Sequence, residues 1–541
     1  MDKNAKEVFR YHEESKHHFH RFARSAGYMD WKNQPNPFRF YKGSEPVSFP
    51  LLKTDPAGKY MDLYQRGKNP VRPFTLENIS GFLELSLGLS AWKSAGAERW
   101  PLRINPSSGN LHPEEAHIIL PAMEYLPSGL YHYNSFLHAA EPRATVPAQM
   151  WEKIRHHFQT EVFLIGLSSI FWRESWKYGE RAFRYCHLDT GHALAAMSFS
   201  AGLMGWKLSS LDTLSHADME MILGFDRTQW RECEAEEAEI LCAVHAFGSE
   251  IPHNLPDDII GDFSALSVQG IPNALSSRPI RWDIIYNTAE CTRKPRTLEI
   301  PCNIGSRPFR KDVISTLPAA KIIRSRRSVS AFSTAGRMDR EIFFAILDKT
   351  VPRKNSPPFD AETENPRVHL LIFVHRVDGL EPGIYFFLRA ETDLSKIRSR
   401  TSEALLWQQI TEDFPLYLLQ KGDAAETAVS LSCDQAIAGN SVFSLGMLAE
   451  FKSLVEKEPF RYRDLFRECG MTGQVLYLEA EAHGFRGTGI GCFFDDPVHE
   501  LIGLKDNSFQ SLYHFTVGKA VEDKRISTLP PYEHLKPETG L

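Results

Sequence analysis

A chain of 541 residues predicts roughly two to four domains at about 100–200 residues each. Hydrophobic residues make up 42% and charged residues 24%, with 34 Gly and 33 Pro, which excludes disordered, collagenous and low-complexity classes. Lys plus Arg total 62 against 68 Asp plus Glu, a net charge of −6, so no overall positive field exists to gather nucleic acid or an anionic membrane. Any anion site has to be local.

The N-terminus, rich in charge and histidine, lacks the apolar run of a signal peptide. The longest apolar stretch, Val162 to Trp172, is too short to span a bilayer. Cysteines at 186, 233, 242, 291, 302, 433, 469 and 492 form no Cys-x-x-Cys, which fits neither a disulfide framework nor a zinc knuckle. A cytoplasmic protein with no membrane or nucleic-acid partner is expected. His12, His17, His18 and His20 have helical spacing but no adjoining acidic or Cys partner, so no metal site is assigned.

In chain order, residues 1–60 hold a basic aromatic helix candidate and the Pro-rich Asn33 to Tyr41, read as an arm laid over the first domain. Pro113 to Leu120 then reads as a strand, followed by the turn and strand of Leu126-Pro-Ser-Gly-Leu-Tyr-His-Tyr133. Val368 to Val374 with Leu380-Glu-Pro-Gly-Ile-Tyr-Phe-Phe387 repeats the pattern. Each half continues with an apolar strand (Val162 to Leu167; Phe414 to Leu419) and a largely apolar helix opened by glycine (Gly191 to Gly205; Gly470 to Gly484). A short acidic helix follows (Ala217 to Leu223; Pro497 to Leu504), then a last strand (Ile240 to Phe247; Ser511 to Val517). The repeat predicts two homologous α+β domains, 61–250 and 316–541, joined by a linker, 251–315, with little regular structure and docked as an intramolecular pseudo-dimer.

Arg324-Ser-Arg-Arg-Ser-Val-Ser-Ala-Phe332 offers guanidinium forks and hydroxyls suited to a phosphate, or a solvated turn. Lys524-Arg525 is a second basic pair. Gly487-Thr-Gly-Ile-Gly491 is no dinucleotide fingerprint, because it does not lie between a strand and the helix it would open; it reads as a loop whose bare backbone a flat ligand can approach. Pro106-Ser-Ser-Gly-Asn-Leu-His-Pro113 is either a capped turn or a polar edge for a heterocycle. Lys177-Tyr178 pairs a proton acceptor with a phenol among aromatic residues, or sits on a surface turn. No nucleophile elbow, Walker loop or kinase set is present.

Together these segments resemble the FMN-dependent nitroreductase superfamily and its SagB-type, azoline-dehydrogenase-like tandem branch. Arg103 to Glu115 is similar to that branch's Pro-Ser-x-Gly signature, Pro127 to Tyr133 to its hairpin, and Tyr11 to Trp31 with Pro35-Asn-Pro-Phe-Arg39 to the opening of its two-domain members. Arg326-Arg327-Ser328 resembles the flavin-phosphate motif, with Ser330 where a basic residue is usual. Thr488, Gly489, Ile490 and Gly491 resemble the segment beside the isoalloxazine, and Lys524 with Arg525 the C-terminal phosphate pair.

The resemblance implies two nitroreductase-like domains, each a mainly antiparallel sheet flanked by helices, with FMN at their interface. The motifs divide in a complementary way. The first half keeps Pro106, Ser107, Ser108 and Asn110 but reads Lys68-Asn-Pro-Val-Arg72 and Lys207-Leu-Ser-Ser-Leu211 where the arginine and glycine motifs belong. The second half keeps those but reads Pro352-Arg-Lys-Asn-Ser-Pro357 in place of Pro-Ser-Ser. One complete FMN site and a degenerate twin are expected, in a monomer, with Lys68 and Arg72 the remaining cations of the twin.

Lys177 and Tyr178 resemble the family's catalytic pair. This implies hydride transfer between a small or peptidic substrate and flavin N5, with Lys177 handling the proton. The alternatives are an NAD(P)H-dependent nitro or quinone reductase, and a non-catalytic scaffold that kept the fold.

Overall fold

The computed structural model describes residues 2–299, 304, 307–310, 315–362, 365–390 and 394–535. Cys302 lies outside them. Two seven-stranded sheets dominate, and their strands follow one topology. In the first the order is 47–48, 139–145, 129–134, 114–120, 162–169, 237–246, 206–210. In the second it is 408–411, 414–421, 383–387, 368–374, 443–450, 509–518, 486–490. All these pairings are antiparallel. The α+β class and the duplication are as expected.

Two correspondences within the repeat need correction. Phe414–Lys421 answers to Ala139–Thr145, and Val162–Ser169 answers to Phe443–Glu450. The sequence of Ala139–Thr145, Ala-Ala-Glu-Pro-Arg-Ala-Thr, hides the strand because Pro142 and two charged residues break the apolar alternation. Residues 486–490, read as a loop, form an edge strand paired with Phe509–Gly518.

The two long helices, α1 (Ala182–Leu203) and α2 (Arg461–Ala482), begin well before the glycines expected to open them. Gly191 and Gly470 instead mark where the helices cross. A Cβ on Gly191 would lie 2.1 Å from the Arg467 carbonyl oxygen, and one on Gly470 2.0 Å from that of Leu188. Only residues without side chains let the backbones approach so closely. This crossing is the axis of the pseudo-dimer.

The lobes also exchange elements. The helix Ala319–Ser325, which precedes the arginine motif, buries Ala319, Ala320, Ile322 and Ile323 in the first lobe's core beside Tyr60, Ile79 and Phe82. Ser527–Leu529 adds a strand to the first lobe's hairpin, Leu89–Ala95 with Glu98–Arg103. Conversely Phe171 and Phe183 pack into the second lobe's core. The N-terminal helix, Lys3–Glu14, was expected over the first domain but packs on the second, with Phe9 against Phe451 and His12 between Tyr462 and Gln510. Within the expected linker, the described residues 251–299 hold two helices: Asp257–Ser264 buries Ile259, Ile260 and Phe263, and Asp283–Cys291 buries Ile284 and Ile285. Among the described residues no helix is long and apolar enough to cross a membrane.

Candidate functional site

A cavity of about 1000 Å³ lies on the seam, walled by both lobes. The first lobe supplies Lys93, residues 105–110, His112, Lys177, Tyr178, Tyr185, Asp189 and His192. The second supplies residues 325–330, Tyr477, Arg486, 488–492 and Tyr513. Of the expected residues, Pro106, Ser107, Ser108, Asn110, Lys177, Tyr178, Arg326, Arg327, Ser328, Thr488, Gly489, Ile490 and Gly491 all face this one space. Lys524 and Arg525 do not. Arg525 is 88% exposed and folds back on Asp523.

The cationic end is built by the exchanged helix. Arg324 spends its charge on Glu84 (2.6 Å) and Asp55 (3.1 Å) of the first lobe. Arg326, only 5% exposed, reaches the carbonyls of Ile104 (3.2 Å) and Arg103 (3.3 Å) and lies over the Tyr477 ring. Arg327 bonds the Arg324, Arg326 and Ser90 carbonyls. Among the described residues neither arginine has a carboxylate within ion-pair distance. Burial, then mutual repulsion, pushes Arg327 down to about 10, and burial depresses Arg326. Lys93 is lowered by burial, then by Arg327, and Arg486 by burial, in each case with Glu522, which also lines the cavity, acting in the opposite direction. Sequence reading missed Lys93 and Arg486; Arg486 pairs with Glu481. Four clustered cations, of which only Arg486 has a carboxylate within ion-pair distance among the described residues, outweigh the nearby Glu522 and describe a site for a polyanion.

This segment is locked to the edge strand. Thr488 Oγ1 accepts from the Val329 N–H (3.0 Å) and donates to the Val329 carbonyl (2.8 Å). The Tyr477 hydroxyl lies 2.8 Å from Ser328 Oγ and accepts from the Gly489 N–H (3.0 Å). The glycine alternation has a different cause from the one expected. Cβ atoms on Gly487, Gly489 and Gly491 would meet Phe515, Tyr513 and Tyr185 at 2.7, 1.8 and 2.3 Å. That face of the strand is bare because aromatic rings of the chain itself close on it.

The opposite wall is equally committed. Asp189 of α1 accepts from Ser108 N–H (2.8 Å) and Ser108 Oγ (2.9 Å). Ser107 Oγ accepts from His112 N–H (2.8 Å), and Asn110 donates to the Pro101 carbonyl (2.9 Å) with its oxygen 2.9 Å from His112 Nε2. The loop's hydroxyls and its Asn110 carboxamide are therefore used to hold the loop. Among the described lining residues, Asn105, 1% exposed, has neither carboxamide atom hydrogen-bonded, and His112 Nδ1 and Arg103 Nε are likewise buried without a partner. An unmatched donor–acceptor pair there suits the edge of a heterocycle.

Lys177 and Tyr178 end the helix Phe171–Tyr178, with Lys177 Nζ 5.1 Å from the Tyr178 ring centre and both packed on Gly109. Beneath them lie three buried carboxyls. Burial raises Glu114 and Glu174 well above the usual range, and pushes Asp189 up to about 7 against the bonds from Ser107 and Ser108.

Asp189 in the folded chain thus keeps a proton that the unfolded chain loses near pH 4. Its contribution to stability is present below about pH 4 and lost as pH rises through about 7. Asp189→Asn should flatten the decline of Tm between pH 4 and 7; an unchanged slope would contradict this protonation.

At the pseudo-symmetric position the space is about 200 Å³, lined by Asp464, Glu468 and Met471, which stand where Tyr185, Asp189 and His192 stand in the first site. In the first half, Arg66 is committed to Asp360 (both contacts 2.9 Å), the Trp206 carbonyl (2.7 Å) and Ser198 (3.1 Å). Lys68 is exposed, and Arg72 turns to Asn78.

Residues 323–519 match the nitroreductase family model. A protein named as a nitroreductase from Anabaena variabilis shares the fold over nearly the whole chain, with a TM-score of 0.68 at 21% identity, covering 95% of this chain and 99% of that one. A protein named as a nitroreductase from Ralstonia eutropha is 13% identical over 42% of this chain and 99% of its own, with a TM-score of 0.26. The E. coli microcin synthetase McbBCD complex with truncated pro-MccB17 bound is 17% identical over 46% and 95%, with a TM-score of 0.26. These last two overlaps are partial and bear no functional weight. No curated protein matches the sequence. The chain is thus two nitroreductase-like sheet regions in one molecule, with the second carrying the family's sequence pattern.

Proposed function

We propose that the chain is an FMN-dependent oxidoreductase of the SagB-type, dehydrogenase-like kind, with one flavin site at the seam. The observation that carries this reading is the cluster of Arg326, Arg327, Lys93 and Arg486, in which Arg326 and Arg327 have no carboxylate at ion-pair distance among the described residues, lining the same cavity as the unpartnered Asn105. The residues fit the group. Arg326, Arg327 and Ser328, with Lys93 and Arg486, would hold the phosphate. Asn105, the Pro106 to Ser108 segment and the strand at 488–491 would flank the ring, with Tyr185 and Tyr513 beneath the glycines.

FMN when bound supplies the two-electron hydride carrier. The chain's own residues then manage protons and charge. Lys177 takes up or releases the substrate proton, and Tyr178, whose phenol burial keeps protonated, donates a hydrogen bond beside it. Glu174, one helical turn from Lys177, has its carboxyl raised well above the usual range by burial, which favours its uncharged form beside the lysine. A cavity of about 1000 Å³ is at the large end of small-molecule sites and has room for a cofactor with a small or peptidic substrate. The twin position, a space of about 200 Å³ bordered by Glu362, Asp464 and Glu468, takes no second flavin.

Titrating flavin-stripped protein with FMN tests this. Binding saturates at one FMN per chain, and a substrate that transfers hydride bleaches the bound flavin. A protein that binds none is the scaffold of the alternative reading; one reduced by NAD(P)H with nitro or quinone turnover is a reductase.

A further inference from the structure

Outside the proposed flavin chemistry, two sulfurs meet at the cavity's edge. Cys492 follows the glycine strand and lines the cavity, and its Sγ lies 2.8 Å from that of Cys433, 59 residues earlier. Both are free thiols and both are partly exposed. The pairing is fixed by the backbone around it: Phe494 N–H donates to the Leu431 carbonyl (2.9 Å), and Gln435 Nε2 donates to the Cys492 carbonyl (3.0 Å). Cys433 and Asp434 are held at φ of 52° and 57°, a left-handed conformation that non-glycine residues adopt at a cost and that clusters at functional sites.

The surroundings divide the labour between the sulfurs. His17 Nδ1 accepts from the Ala23 N–H (3.0 Å), so its proton sits on Nε2, available to the Cys492 sulfur. Arg181 donates to the Gly491 carbonyl through Nε (3.2 Å) and Nη2 (3.1 Å), placing a guanidinium beside Cys492 that also pairs with the buried Asp495 (3.0 Å). Contact with Cys433, then His17 and Arg181, lowers Cys492 against its burial, whereas Cys433 is raised. Burial pushes Cys186, Cys233, Cys242, Cys291 and Cys469 upward. Cys492, which lines the cavity beside His17 and Arg181 while Cys433 does not, is the nucleophile of the pair, and Cys433 the resolving thiol.

We propose that Cys492 and Cys433 form a redox-active dithiol that takes low-molecular-mass disulfides as substrate and closes to an intramolecular disulfide. The Cys492 thiolate attacks one sulfur of the external disulfide, and the first small thiolate leaves and is protonated. The Cys433 thiol gives up its proton and attacks Cys492 Sγ, releasing the second. Two protein thiols are oxidised, one external disulfide is reduced to two thiols, and two protons pass to them. None of these steps requires flavin, so this activity stands or falls separately from the proposed oxidoreductase.

The test uses the full chain, reduced, freed of reductant and exposed to excess glutathione disulfide, then quenched with N-ethylmaleimide and mapped by mass spectrometry. The wild type should lose two alkylatable thiols, yield joined peptides carrying residues 433 and 492, and release two glutathiones per chain. Cys433→Ser should stop with one glutathione on Cys492, and Cys492→Ser should leave Cys433 alkylatable and release none above background. Full alkylation of both cysteines in the treated wild type overturns the proposal without recourse to any variant. So does an identical response of the two serine variants.

Discussion

Replacing both Arg326 and Arg327 with alanine is expected to raise the Kd for FMN by about 10²–10⁴-fold, because two charge-assisted hydrogen bonds worth about 1.5–3 kcal/mol each are lost. Arg324→Ala is the internal control. Its guanidinium is already neutralised by Glu84 and Asp55, so its loss should lower Tm while leaving flavin affinity within about threefold. Calorimetric or fluorescence titration separates the two. Equal loss of affinity in both would mean that the segment's fold, and not its uncompensated charge, governs binding. The wild-type Kd should also weaken with added salt, as expected for a cation cluster facing an anion.

Lys177→Ala is expected to lower kcat by about 10²–10⁴-fold, the usual size of a general acid–base contribution, with FMN still bound at one per chain. Lys177→Arg keeps the positive charge but cannot surrender its proton, so it should be as slow as alanine despite its better charge match. Recovery of turnover by arginine would assign Lys177 an electrostatic role. Unchanged turnover in the alanine variant would remove it from the chemistry.

What the sequence made legible was local. The paired hairpins ending at Tyr133 and Phe387, the acidic helices and the closing strands declare themselves by alternation and turn residues, and so expose the duplication. The helix crossing left its mark as well, in Gly191 and Gly470, but the reason for those glycines lies in a backbone 279 residues away and invites the wrong reading as helix starts.

The cavity's less obvious members were illegible for the same reason. Lys93 and Arg486 are ordinary surface-type residues until the strand Ser527–Leu529 and the helix Ala319–Ser325 cross to the other lobe. Asp189 sits in a helix buried throughout, and only its bonds to Ser108 distinguish it. Asn105 was adjacent to the recognised Pro-Ser-Ser segment, and its signal, a buried carboxamide with nothing to bond, exists only in three dimensions. Conversely Lys524-Arg525 looked basic enough to join the phosphate cluster, but the chain carries the pair outward, where Arg525 is neutralised by its neighbour Asp523.

A crystal structure of the FMN-loaded chain tests the shared cavity most directly. The account predicts one flavin on the seam, its phosphate against Arg326 and Arg327 and its ring between Asn105 and the strand at 488–491. A flavin held within one lobe, or a phosphate seated at Lys68 and Arg72, would contradict it.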